Sequence, residues 1–310
     1  MSAYSRLRRV ASGALGAALL AGGALFASTA QAQPADYSTL EANPAVWHLS
    51  DSDSDVYIFG TFHILPASLD WQTDELQALL ASADTLYLEA DVHSQESQAQ
   101  MQQLVMQHGL NPPGVTLSSL LSDEANAALA DFAPTLGIAP AMLEPMRPWL
   151  AQVMLAVTQM QALGLDPNSG AEAGLLALVA EGDTRMGYFE TAEEQIRFLA
   201  GVPDDVQVRA FDQGLEDMAD LPTQLNELVT AWATGDMAVL EDMINGSMRE
   251  DAPEVYETLI VTRNHNWVPQ IAEIMDGEGT VFIAVGAAHL PGEDGVIHLL
   301  QEEGYTITRQ

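Results

Sequence analysis

The strongest constraint on this chain is a strand-like run ending in Gly-x-x-His that occurs twice, near opposite ends of the sequence. Residues 56–59 run into Gly60-Thr61-Phe62-His63, and residues 281–285 run into Gly286-Ala287-Ala288-His289. Short apolar runs of β-branched and aromatic residues bounded by glycine read as buried strands. Glycine lets the chain leave such a strand through backbone angles that other residues avoid. Each histidine is thereby placed just past a strand end, the edge at which open α/β sheets build ligand sites. For the two to share a site, the ends of the chain must fold together. A third copy, Gly295-Val296-Ile297-His298, follows no strand and reads as the start of a helix over 296–303, so it carries no site.

The remaining pattern supports that closure. Residues 46–49 and 56–59 read as a hairpin across the acidic turn 50–55. Thr73 or Asp74 caps a helix running to about Ala83, and 85–91 forms another strand. Further strands are expected at 184–189, 280–285 and 305–308. Thr191 and Glu194 have capping-box spacing at the start of a helix. Residues 95–163 and 203–276 are helical in pattern, broken by proline and glycine. The expected fold class is α/β: a central mixed sheet from the N- and C-terminal parts with a large helical middle insertion, about 95–276. No Ser/Gly-rich linker or charge block divides 33–310, so one domain is expected.

Residues 1–32 read as a signal peptide. Arg6, Arg8 and Arg9 precede an uncharged stretch over 10–26, and Ala30-Gln31-Ala32 offers a small-x-small cleavage site. The stretch is short and glycine-rich for a stable membrane span, so a periplasmic or secreted product without a membrane span is expected. Beyond it remain seven basic residues, all Arg, against 44 acidic ones. Such a field repels nucleic acid and anionic lipid and fits a salty environment. The absence of cysteine excludes disulfides and thiolate metal sites, and the absence of lysine excludes Schiff-base chemistry and the phosphate loop that needs it. No Gly-x-Ser-x-Gly elbow occurs.

Glu89 is the third polar feature, because it ends an apolar strand where an unpaired carboxylate is costly unless it faces a pocket. Asp91 and His93 share its face if the strand persists. Two imidazoles and a carboxylate suit a divalent transition ion such as Mn, Co, Zn or Fe, making His63, His289 and Glu89 candidate metal ligands. The same trio can instead activate water without a metal. Arg263 and Asn264 lie in a helix before the second motif and are candidate donors to a substrate carbonyl or to the oxyanion formed from it.

Together, Gly60-Thr61-Phe62-His63, Leu88-Glu89, Arg263-Asn264 with Trp267, and Val285 to Gly292 closely resemble the TraB/GumN family. That family lies within a grouping that includes the Tiki Wnt proteases, the erythromycin esterases and the haem-binding ChaN proteins. The likeness extends through Arg147-Pro148-Trp149-Leu150, through Phe189 to Gln195 and through Gly304-Tyr305. The resemblance implies an α/β fold in which the two histidines and Glu89 meet and, for the Tiki branch, divalent-metal-dependent peptide hydrolysis. The expectation is therefore an exported hydrolase acting on peptide or amide bonds of an unknown peptide or small substrate. A haem- or ligand-binding protein and a metal-independent esterase are the alternatives.

Overall fold

The computed structural model describes residues 36–310 apart from Glu181, Ala219 and the side chain of Glu216. The expected signal peptide at 1–32 lies outside the described residues. Among the described residues eight strands form: β1 (Val46–Ser50), β2 (Ser54–Thr61), β3 (Leu65–Pro66), β4 (Thr85–Ala90), β5 (Leu165–Asp166), β6 (Arg185–Glu190), β7 (Gly279–Gly286) and β8 (Ile307–Arg309). Six of them make one mixed sheet in the order β6-β4-β7-β2-β1-β8, and β3 pairs with β5 in a separate ribbon. Within the large sheet, β2, β4, β6 and β7 are parallel, while β1 runs antiparallel to both β2 and β8. The expected hairpin and mixed sheet are both present. The small ribbon was not anticipated, because two-residue strands leave no period to read.

The longer helices are α1 (Asp74–Ser82), α2 (Gln95–His108), α3 (Pro148–Ala162), α4 (Ala171–Val179), α5 (Ala192–Ala200), α6 (Asp204–Met218), α7 (Leu221–Ala233), α8 (Thr262–Met275) and α9 (Val296–Glu302). Thr73 caps α1 by accepting from the Leu76 amide, and Thr191 and Glu194 form the anticipated capping box on α5. His298 lies within α9, as read from the sequence. The middle of the chain is mostly helical. No described helix is long and apolar enough to cross a membrane.

Alternating side chains of the inner strands go to opposite faces of the sheet. Val56, Ile58, Ile283 and Val285 pack with Trp267, Ile271 and Met275 of α8 and Leu300 of α9. Phe59, Leu86, Phe282 and Ala284 pack instead with α1 and the helical middle. Both faces are covered, which explains why these strands read as continuous apolar runs with no polar alternation. Trp232 of α7 is deep in the second layer and donates its indole N–H to the Gly60 carbonyl at 2.8 Å.

Candidate functional site

Parallel pairing of β2 with β7 delivers the two motifs side by side, with Thr61 opposite Gly286. Both chains leave the sheet at the carboxyl ends of its parallel strands, where Glu89 of β4 also arrives. The glycines are needed for close packing rather than unusual angles, since neither Gly60 nor Gly286 has positive φ. A Cβ on Gly60 would lie 3.1 Å from the Ala287 Cα, and one on Gly286 would lie 3.0 Å from Glu89 Oε1. The missing side chain lets the Gly286 amide donate to Glu89 Oε1 at 2.7 Å.

Arg263 forms the centre of the arrangement. It is 1 % exposed, and all five of its N–H bonds are engaged. Nε donates to Glu190 Oε1 (2.8 Å), and Nη2 donates to Glu89 Oε2 (2.5 Å) and Glu190 Oε2 (2.9 Å). Nη1 donates to the Leu259 carbonyl (3.4 Å) and to His289 Nε2 (3.0 Å). The guanidinium also lies 4.8 Å from the centre of the Trp267 ring, whose N–H donates to Glu190. Asn264 is equally committed: its amide donates to the carbonyls of His289 (3.1 Å) and Asp294 (2.7 Å), and its oxygen accepts from His289 Nδ1 (2.7 Å). These bonds fix His289 as the Nδ1–H tautomer with Nε2 accepting.

Electrostatics agree with that assignment. Burial, reinforced by the charge of Arg263, lowers the His289 pKa to about 3, so its ring is neutral. Burial works against the Glu89 charge, yet Arg263 and the nearby histidines outweigh it and hold the pKa at about 2. Glu190 is shifted the other way, first by burial and then by the neighbouring Glu89 charge, although Arg263 opposes the shift.

His63 stands apart from this network. Its Nδ1 is 2.8 Å from Glu172 Oε1 of α4, an ion-pair contact outside ideal hydrogen-bond alignment; its side chain is 24 % exposed, and its Nε2 has no hydrogen bond among the described residues. Burial disfavours the imidazolium, but the Glu172 carboxylate prevails and raises the pKa to about 9. The buried Thr61 hydroxyl is near enough to help hold Glu172 charged, though outside hydrogen-bonding geometry. The contact depends on a close approach of backbones. A Cβ on Gly170, just before α4, would come within 2.1 Å of the His63 carbonyl oxygen, and the Ala171 amide donates to the Phe62 carbonyl at 2.8 Å.

His63, Glu89, Arg263 and His289 border one cavity of about 80 Å³, several times the roughly 10–15 Å³ that a single water requires. Asn264 supports it from behind. Asp91 and His93 do not line it: β4 ends at Ala90, Asp91 accepts from the amides of His93 and Ser94 in a tight turn, and His93 is exposed, though near enough to feel the charges of Glu172 and His63. His265 is exposed on α8.

Arg263 and Asn264 have no donor left for a substrate, so their role in this arrangement is to position other groups. Among the described residues, no three His, Asp or Glu side chains are grouped so as to hold a metal ion. The Arg263 guanidinium stands against both Glu89 and His289 and already engages Glu89 Oε2 and His289 Nε2, atoms a shared divalent ion would need. The residues as arranged do not fit a resident metal. Sequence reading missed Glu172 and Glu190. Glu190 ends an apolar strand just as Glu89 does, and Glu172 interrupts a small apolar helix, so each left the same signal of an acid among apolar neighbours.

A family model described as the TraB/PrgY/gumN family matches residues 45–309. Two curated relatives, each called "Uncharacterized protein YbaP", come from Escherichia coli (strain K12) and Shigella flexneri. Each is 24 % identical over 269 residues, covering 86 % of this chain and 96 % of the relative. No solved structure matches significantly.

Proposed function

The chain belongs to the TraB/PrgY/gumN family, and with that premise we propose that it is an exported hydrolase of amide or ester carbonyls that uses His63 as its base without a resident metal. The supporting observation is that His63 alone among the converging polar residues is held by a carboxylate at one ring nitrogen and left uncommitted at the other. In the proposed reaction Glu172 orients the ring, and neutral His63 takes a proton from water at Nε2. The resulting hydroxide adds to the substrate carbonyl. As the tetrahedral intermediate collapses, His63 returns the proton to the leaving nitrogen or oxygen. Glu89, Arg263, Asn264 and His289 form the rigid wall against which this happens.

The test is turnover of an activated ester by purified protein in the presence and absence of a chelator. Turnover should survive chelation and disappear in His63→Ala. Loss of activity on chelation, restored by a divalent ion, would overturn the metal-free mechanism in favour of a metal-dependent one. For the export part, the mass of the protein recovered outside the cytoplasm should correspond to a chain beginning at Gln33, and recovery of only the uncleaved chain inside would refute it.

A further inference from the structure

We infer that the group this site accepts is an aliphatic acyl chain, lying in the cavity with its carbonyl at His63; the hydrolytic half of this inference rests on the function proposed above. The lining of the cavity is of two chemical kinds. Thr61, His63, Glu89, Arg263 and His289 supply its polar part, and the remaining wall is almost wholly apolar. Leu221, Leu225 and Leu228 supply one face of α7 to it, and Ile244, Met248 and Ile260 add to the apolar lining.

A peptide in that space would bring an N–H and a C=O with every residue, and none of these six side chains can bond to them. Buried amides without partners are strongly disfavoured, whereas methylenes gain from leaving water. In the polar part, Thr61 is 1 % exposed, and its hydroxyl lies near the Glu172 carboxylate without completing a hydrogen bond of normal geometry. It borders the cavity beside His63, so a single carbonyl oxygen there gives it a partner. The site thus has room for one polar group attached to a hydrocarbon.

The probes are neutral, non-hydrolysable methyl ketones, 2-hexanone, 2-octanone and 2-decanone, with N-acetyl-trileucine amide as an apolar peptide. Binding to the full chain is followed by intrinsic tryptophan fluorescence. Kd should fall about fourfold for each added methylene, and the peptide should bind at least tenfold more weakly than 2-decanone. In Leu225→Trp the dependence on chain length should flatten; Leu228→Phe is the second variant should the first not fold. A Kd independent of chain length, or equal binding of the peptide, overturns the inference. Turnover of p-nitrophenyl acetate and octanoate separates the two readings. Chain-dependent ketone binding without ester turnover retains the acyl cavity and rejects the hydrolase. Turnover equal for both esters, with flat ketone binding, does the reverse.

Discussion

Burial disfavours the charged form of both His63 and His289, yet they end with opposite proton affinities, because the Glu172 carboxylate outweighs burial at the first and the Arg263 guanidinium adds to it at the second. The pH dependence of the proposed reaction follows from that difference. A base must be neutral, so kcat/KM should rise with pH and level off above about 9. Replacing Glu172 by Gln removes the charge that sustains the imidazolium, and burial then works unopposed by it. The inflection in Glu172→Gln should therefore move down by two units or more, which a pH–rate profile measures; an unmoved inflection would remove Glu172 from its role. Arg263 answers to a different test. Arg263→Ala leaves Glu89 and Glu190 buried without their cation, which should cost about 3–5 kcal/mol in chemical denaturation. Which residue types would converge was legible in the sequence, since strand-ending glycines, histidines and acids are local signals. Their division of labour was not, because, the Leu259 carbonyl apart, the groups that commit Arg263 and Asn264 lie 25 or more residues away.

The sheet elements were readable because each inner strand carries an apolar run, and helix starts such as Thr73 and Thr191 announce themselves by their caps. Two π-helical turns, Glu241–Gly246 and Glu257–Val261, had no such marker. They matter to the site: Ile244 in the first and Leu259 and Ile260 in the second face the cavity, and the second turn leads directly into α8 and Arg263. Widened turns of this kind recur at functional sites, where they redirect side chains without breaking the helix. The packing of α4 on the His63 loop is equally invisible to local reading, because the need for Gly170 comes from a backbone more than one hundred residues earlier. Gly170→Ala should force those backbones apart, costing about 1–3 kcal/mol and at least tenfold in turnover, although residue 170 touches no substrate. Full activity with unchanged stability in that variant would mean the approach is not needed.

At the scale of the molecule, 44 acidic residues face seven arginines beyond residue 32, and Arg263 is committed to the interior. Self-repulsion among surface carboxylates should make stability rise with ionic strength as screening shortens to about 3 Å at 1 M. Thermal melts between 0.05 and 1 M NaCl should shift upward by several degrees, and a flat response would show that the acidic surface is not under strain. Such a charge balance was plain from composition, as was the need for the chain ends to meet. The union of β2 with β7 joins strands more than two hundred residues apart in sequence, and contacts of that range are slow to form. Until the last hundred residues or so have been made and released, His63 has no His289, no Arg263 and no closed cavity. An unfinished chain therefore holds only half of the pocket's wall: assembly of the site is timed by the arrival of β7 beside β2, and on the proposed function any reactivity waits for the same event.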